Sequence, residues 1–496
     1  MKLCELLAGI SLRGNCFDPE LDISSITCDS RAVKPGGLFA ALRGSKTDGH
    51  RCIGRALERG AAAVLCEVPP ETPGPWLWVE DSRSAFGALA ANWFGRPGDE
   101  LVVVGITGTN GKTTTTNLLR ELLEQFPGTK VGLIGTNRNL IGTEEVPAER
   151  TTPDSYALQK LLRRMADSGC THVVMEVSSH ALAQHRTAGV TFDVGVFTNL
   201  TRDHLDYHRT MEDYRAAKGR LFDRCRCAVL NLDDEAGRFY RSRVRCPVFT
   251  YSQRDLRADL TAEHLRLAPD HVEFEALMLG KLARVYLPIP GGFSAYNALA
   301  ALSAGLCLGY PLEKLAQGLR RVRGVKGRVE VVPVDRDFTV LIDYAHSPDA
   351  LENILLTARS FTPGRLFCLF GCGGDRDRTK RPIMGEIART LADCVVVTSD
   401  NPRTEDPEAI IRDILEGSGP ESDTLHVEPD RPAAIRWALS HARKGDVVVL
   451  AGKGHELTQE VNGVKHPMDE RQIVTEWLEN ASISEEKTGN PPAGIV

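Results

Sequence analysis

The chain has 496 residues, 42% of them hydrophobic and 25% charged, with a formal net charge of −6. That length fits about three domains at roughly 150 residues each, and the balance is a globular one that gives no reason to expect a nucleic-acid or membrane-surface partner. The longest apolar runs, such as 102–106 and 447–451, fall far short of the ~20 residues of a membrane-spanning helix, and the start Met1-Lys2-Leu3-Cys4-Glu5 lacks the basic and apolar regions of a secretory signal.

In chain order, residues 1–95 read as a small α/β unit, with a helix-like stretch at 54–59, an apolar run at 61–65 and a turn-rich loop at 69–75. Arg96-Pro97-Gly98 marks a first boundary. A short apolar strand follows at 101–106, then a glycine loop, then a helix whose Leu118, Leu119, Leu122, Leu123 and Phe126 share one face. Further strands at 172–177 and 192–197 each end in a polar cluster, the alternation expected of a parallel sheet flanked by helices. A second boundary lies near 324–328. Beyond it, apolar strands at 338–342, 366–370, 394–398 and 447–450 each run into a charged or glycine-rich loop. Ligands bind outside the carboxyl ends of such strands in open parallel sheets. The predicted fold is α/β with a small α/β domain at 1–95, a central P-loop-type parallel-sheet domain at 96–327, a Rossmann-like domain at 328–481 and a disordered tail at 482–496. The 13 cysteines, an odd number without paired metal-ligand spacing, favour free thiols in a reducing cytoplasm.

The glycine loop departs from the usual G-x4-G-K-[ST] pattern, because Ile106 stands where the first glycine belongs and glycines fall at Gly105 and Gly108 instead. The chemistry is retained. Backbone N–H groups of Thr107, Gly108, Thr109, Asn110 and Gly111 can face phosphate oxygens at a helix start. Lys112 would reach the β- and γ-phosphates and Thr113 would hold magnesium. Glu176, at a strand end, stands where a second magnesium ligand is expected. Ser178-Ser179-His180 and the segment 198–206, which includes His204, place polar groups after neighbouring strands.

With these residues in view, the chain resembles the Mur ligases, the ATP-dependent amide-forming enzymes of peptidoglycan synthesis. The resemblance covers nearly the whole chain apart from the tail. It rests on 107–113, 176–180, 199–204, Asn297-Ala298-Leu299-Ala300, Gly327-Arg328-Val329-Glu330 and Asp343-Tyr344-Ala345-His346. It implies that Cys28, Asp29, Ser30, Ser45, Lys46 and Thr47 hold the UDP group, and that Thr151, Thr152, Ser178, Gln184 and Arg186 contact the muramoyl-peptide. Arg150 departs from relatives that carry Asn there. Asn297, Arg328 and His346 match positions near ATP. Lys218 matches a lysine that is carbamylated to N6-carboxylysine, expected with His204 at one magnesium while Thr113 and Glu176 serve another. Lys112, Glu176, His204 and Lys218 are thus the implied catalytic set.

The resemblance further implies that ATP phosphorylates the D-glutamyl γ-carboxylate of UDP-N-acetylmuramoyl-L-alanyl-D-glutamate. An amine then attacks the acyl phosphate. Asp400-Asn401-Pro402-Arg403 resembles the pattern of the diaminopimelate-adding members, and meso-diaminopimelate carries a distal carboxylate that suits Arg376 and Arg403, expected to be buried and so left unpaired by L-lysine. Glu456 could take its ammonium, and Gly452 belongs to the same set of loops. The alternatives are an L-lysine-adding or folylpolyglutamate synthase-like ligase and, from another class, an ATP-dependent regulatory switch. A cytoplasmic monomer is expected.

Overall fold

The computed structural model describes residues 1–15, 18–44, 47–69 and 74–488. Three α/β domains are each built on a sheet of their own. Contacts group the chain into two compact units, Met1–Thr261 with Leu277–Lys281 and Asn297–Gly318, and Ala262–Ala276 with Leu282–Tyr296 and Leu319–Val496.

In the first sheet the strands run Gly14–Asn15, Trp76–Trp78, Ala63–Cys66, Leu38–Ala40, Ile26–Thr27, parallel except for the first pair. Alternate side chains of a strand face opposite sides, and the sequence obeys this. Leu38, Ala40, Leu65 and Leu77 pack into one core with Phe86 and Leu89, while Phe39, Val64, Cys66 and Trp76 pack into another with Ile53 and Ala56. The helix Ser82–Trp93 starts at Asp81, whose carboxylate accepts from the backbone N–H groups of Arg83 and Ser84.

The central sheet has a parallel core in the order Val131–Ile134, His172–Glu176, Val102–Thr107, Phe192–Phe197, Cys225–Asn231, Val248–Ser252. It is mixed, not purely parallel as expected. Asn139–Ile141 and Glu144–Val146 extend one edge antiparallel. The reason is loop length: parallel neighbours need a crossover of a dozen residues, and only 135–138 separate the first of these strands from Val131–Ile134. Strands Leu260–Leu267, Val272–Met278 and Lys281–Leu287 are neighbours in that order. Their half-exposed alternation lacks the continuous apolar run that marks a buried strand in sequence.

The third sheet runs Glu330–Val332, Thr339–Asp343, Val447–Ala451, Leu366–Phe370, Cys394–Val397, Leu425–Val427, parallel after its first pair. Its inner strands are buried on both faces, as parallel strands under two helical layers must be. The loops that follow the four inner strands therefore lie side by side. Helices Pro348–Arg359, Pro407–Ser418 and Arg431–His441 each begin with an oxygen-bearing cap and a proline in the first turn. The expected tail from 482 begins inside the helix Glu470–Thr488; only 489–496 lie outside the described residues. The described cysteines are free.

Candidate active site

The strand Val102–Thr107 delivers the glycine loop to the start of the helix Lys112–Leu123, whose cap Gly111 has φ +84°. The loop following Phe192–Phe197 braces it. Asn199 Oδ1 accepts from Asn110 N at 2.9 Å, Asn199 O accepts from Thr109 N at 2.8 Å, and Thr198 Oγ1 donates to Asn110 O at 2.6 Å. A Cβ on Gly108 (φ +155°) would lie 1.8 Å from Thr198 Oγ1, and one on Gly111 would lie 2.4 Å from Asn297 Oδ1. Lys112 Nζ donates to Gly108 O and Thr109 O at 2.9 and 2.8 Å. The loop has no room for a side chain at Gly108. Gly108→Ala should lower kcat/KM for ATP about a hundredfold, the effect of an ångström-scale displacement at a reacting site. Gly128→Ala, also at positive φ but with nothing within 4 Å of the added carbon, controls for backbone strain and should leave the kinetics unchanged.

Glu176, 1% exposed, ends its strand beside this loop. Its Oε2 accepts from Thr113 Oγ1 at 2.9 Å and its Oε1 from Thr136 N at 2.8 Å. Thr136 Oγ1 lies 3.0 Å from Thr151 Oγ1. From there a polar row continues. Thr152 Oγ1 donates to Glu176 O and accepts from Ser178 N, at 2.9 and 3.0 Å. Arg186 donates to Thr152 O at 3.0 Å and, through Nε and Nη2, to Gln184 Oε1. Burial pulls the Arg186 guanidinium below its usual value, and the nearby Arg150 charge acts the same way. Cys28 of the first domain is exposed. Ser30 is buried. Ser45 and Lys46 lie outside the described residues.

On the other side of the glycine loop, the helix Met211–Gly219 carries Lys218. Its amine is 1% exposed, donates to Gly108 O at 2.7 Å and lies 4.4 Å from the Tyr214 ring centre. Burial, reinforced by the Lys112 charge, holds Lys218 well below the ordinary lysine value. Tyr214 also contacts Thr109 Oγ1 at 3.2 Å and meets His204 edge-on and His208 face-on. His204 occupies the left-handed region at φ +52° and packs edge-on against His180. His208 Nε2 lies 2.9 Å from Ser179 Oγ, and burial followed by the charges of His180, His204 and Lys218 pushes its imidazole down to about 4.

Among the described residues no three His, Cys, Asp or Glu converge to hold a metal by themselves. The donors fit magnesium nonetheless. Thr113 and Glu176 form a buried pair of hard oxygens, and magnesium usually completes its octahedron with water and substrate phosphates. His204 and Lys218 border one ring; an amine at Lys218 offers no anionic oxygen, whereas its carbamate would.

In the second unit, Asn401 and Glu456 join two neighbouring strand-end loops. Asn401 Nδ2 donates to Glu456 Oε2 at 2.8 Å. Burial pushes Glu456 up, but the hydrogen bond and charge of Lys453, with help from Asn401, outweigh it and keep the carboxyl below its usual range. Gly452 has φ +113°, and a Cβ there would meet Asp400 Oδ2 at 2.8 Å. Arg403 donates to Gly374 O at 2.7 Å and lies 3.5 Å from Glu460. Pro402 is buried behind it. The ion pair Arg431–Glu470 is wholly buried, and Arg431 also donates to Ala451 O at 2.7 Å, gripping the end of the central strand. Arg328 lies over the Tyr344 ring at 5.0 Å with its Nε buried and unpaired, and His346 Nδ1 lies 2.7 Å from Tyr344 O.

Comparison with known proteins agrees with this architecture. Residues 106–305 match the Mur ligase middle domain, 327–454 the glutamate ligase domain of Mur ligases and 22–93 the Mur ligase family catalytic domain. A protein of Clostridioides difficile (strain 630) named UDP-N-acetylmuramoyl-L-alanyl-D-glutamate–2,6-diaminopimelate ligase is 42% identical over 483 residues, covering 96% of this chain and 99% of its own. The chain belongs to the Mur ligase family.

A like-named relative from Caldanaerobacter subterraneus is 44% identical over 96% of this chain and 99% of its own. A solved structure of a UDP-N-acetylmuramoyl-L-alanyl-D-glutamate–2,6-diaminopimelate ligase superimposes with a TM-score of 0.74 at 34% identity, over 97% of this chain and 99% of that one. The folylpolyglutamate synthase of Mycobacterium tuberculosis, at 20% identity, covers 73% of this chain and 90% of its own with a TM-score of 0.59, and shares the fold.

The fold gathers Thr113 with Glu176, Thr151, Thr152, Ser178, Gln184 and Arg186 in one row, and Asn297 with Gly111. One expectation needs correcting. The arginines assigned to the amino acid are not both buried: Arg376 is exposed, and Arg403 is partly buried with 22% of its side chain exposed. The buried cations nearby are Lys453, Arg381 and Arg431. Sequence reading also missed Thr136, His208 and Tyr214, whose site partners Glu176, Ser179 and Thr109 lie tens of residues away.

Proposed function

We propose that this Mur ligase joins meso-diaminopimelate to the D-glutamyl γ-carboxylate of UDP-N-acetylmuramoyl-L-alanyl-D-glutamate at the expense of ATP, in the cytoplasmic part of peptidoglycan synthesis. The reading is carried by the Asp400-Asn401-Pro402-Arg403 loop, locked to Glu456, in a chain 42–44% identical to like-named ligases. Domain limits of 1–95, 96–327 and 328–481 assign the UDP end to the first domain, ATP chemistry to the second and the amino acid to the third.

A carboxylate oxygen is a poor leaving group, so the γ-carboxylate must first become an acyl phosphate. The loop amides and Lys112 hold the β- and γ-phosphates and offset the repulsion between two approaching anions. Arg186, positioned by Gln184 and Thr152, fits an anionic part of the muramoyl-peptide. Magnesium held by Thr113 and Glu176, and by His204 with carbamylated Lys218, would neutralise charge as the phosphoryl group moves. Arg328 and His346 are assigned to the nucleotide. In the third domain Arg376 and Arg403 are assigned to the distal carboxylate and Glu456 to the ammonium, leaving the other amine of diaminopimelate to attack the acyl carbon and expel phosphate.

The test is phosphate release from ATP with UDP-muramoyl-dipeptide and a panel of amino acids. Release should depend on both the dipeptide and meso-diaminopimelate. Release that ignores the amino acid would point to a regulatory ATPase, and release driven equally by glutamate would point to a folylpolyglutamate synthase-like enzyme.

A further inference from the structure

Lys453 lies between two residues assigned to the amino acid. Its ammonium is 0% exposed. A lysine has three N–H donors, and here each has an acceptor: Asn401 Oδ1 at 2.8 Å, Glu456 Oε2 at 2.7 Å and Thr458 O at 2.7 Å. Taking an ammonium out of water is costly, and a buried pair is weak evidence of a stability role because apolar replacements often do as well. The positions of the three acceptors therefore carry the argument. Asn401 belongs to the loop after Cys394–Val397 and Glu456 to the loop after Val447–Ala451, so a single cation joins the two.

The local backbone serves this arrangement. Gly452 and Gly454 flank Lys453 at φ +113° and +53°, conformations that suit glycine. Between them the chain reverses, with Glu456 N donating to Lys453 O at 3.0 Å, so Lys453 and Glu456 meet three residues apart. Lys453 also orients the Asn401 amide. With Oδ1 accepting from Lys453 and from Glu460 N at 2.9 Å, Nδ2 is left to donate to Glu456 Oε2. Both described bonds to the Glu456 carboxylate fall on Oε2, so Oε1 is the oxygen presented to a ligand. The strand Thr458–Val461 extends the frame, since Glu460 O accepts from Arg403 N at 3.0 Å and Gln459 Nε2 donates to Asp400 O at 2.8 Å.

We propose that Lys453 is a positioning residue for amino-acid recognition, fixing the Glu456 carboxylate and the Asn401 amide in the orientation that receives the distal ammonium of the incoming diamino acid. This rests on the assignment of Glu456 to that ammonium. Lys453 itself touches no substrate. Its charge also offsets that of Glu456, so the site as a whole suits a zwitterionic centre better than a lone ammonium.

The test is steady-state kinetics on the full chain. Lys453→Met should raise KM for meso-diaminopimelate about fiftyfold, the effect of losing charge-assisted hydrogen bonds. KM for ATP and for UDP-muramoyl-dipeptide should stay within about twofold, and kcat at saturating diamino acid within about threefold. Equal losses in all three KM values, or no loss in any, would overturn the proposal. Glu456→Gln and the double variant Lys453→Met/Glu456→Gln complete a cycle. The double variant removes both charges together, leaves no lone buried ion and keeps the fold measurable if the single change does not. If Lys453 acts through Glu456, the double variant's KM for the diamino acid stays within about threefold of that of Glu456→Gln; multiplicative effects would overturn the proposal. A wild-type KM in Glu456→Gln would instead remove the underlying assignment of Glu456.

Discussion

Replacing Lys218 by alanine should lower kcat on the order of 10³-fold, with part of the loss restored by millimolar formate or acetate. The size follows from losing an anionic ligand that stabilises several kcal/mol of transition-state charge, each 1.4 kcal/mol being tenfold. The structure gives the lysine the surroundings a carbamate needs. Its amine sits under the glycine loop, 2.7 Å from Gly108 O, with Tyr214 beneath it. Burial and the Lys112 charge favour the uncharged amine, the form that adds carbon dioxide. Addition, with an N–H proton released to solvent, converts a neutral amine into an anionic carbamate with two oxygens beside a site that must gather magnesium and phosphate. A small carboxylate entering the space left by alanine can supply such oxygens without the covalent tether, so rescue should be partial and saturable. Lys218→Met, which fills the space but offers no oxygen, should be as inactive as alanine and should respond less to acetate. Thermal unfolding of each variant separates this from a loss of fold. Full activity in the alanine variant would remove carbamylation from the mechanism.

The glycine loop was legible because strand, loop and helix are contiguous in sequence. Its odd spacing was legible as a departure but not as a necessity. The fold supplies the reasons. A Cβ on Gly105 would lie 2.7 Å from the Phe192 ring, one on Gly108 would meet Thr198 and one on Gly111 would meet Asn297. Ile106 is wholly buried in the sheet, so the position that usually carries glycine is here a core strand residue. Each reason lies about 90 to 190 residues away, beyond any local pattern. The same holds for Asn199, whose amide and carbonyl brace the loop, and for Tyr214, which joins Thr109, His204 and Lys218. In the third domain, Lys453 stands openly in Gly452-Lys453-Gly454-His455-Glu456, yet its burial depends on Asn401 and Thr458. Sequence reading treats Arg376 and Arg403 as buried, since lysine is then rejected by leaving them unpaired. The fold instead buries Lys453, Arg381 and Arg431 as internal struts and leaves those arginines at the surface of the loops.

That exchange shapes the expected selectivity. kcat/KM for meso-diaminopimelate should exceed that for L-lysine by about 10³-fold or more. A site built to bind a polar group rejects an analogue lacking it by 10⁴–10⁵ when its own groups are left unpaired and dry. The Arg403 side chain is 22% exposed, and with lysine bound it can still find water, so the expected ratio falls below that range. Arg403→Met should therefore cut kcat/KM for meso-diaminopimelate by about a hundredfold, the upper value for a hydrogen bond to a charged group. L-Lysine has no distal carboxylate to lose, so its own kcat/KM should change by no more than about threefold in the variant. The preference then narrows through one substrate only, which distinguishes loss of a specific contact from general damage. Arg403 also holds Gly374 O, and Arg403 N and O bond the strand Thr458–Val461 and Asn462. Substitution keeps these main-chain bonds and removes only the side-chain ones, so the loop should retain its course. Equal kcat/KM for the two amino acids in the unmodified enzyme would refute the diaminopimelate-selective reading, a higher value for L-lysine would assign the chain to the lysine-adding branch, and an equal fall for both in Arg403→Met would mean that this guanidinium orders the loop without reading the substrate.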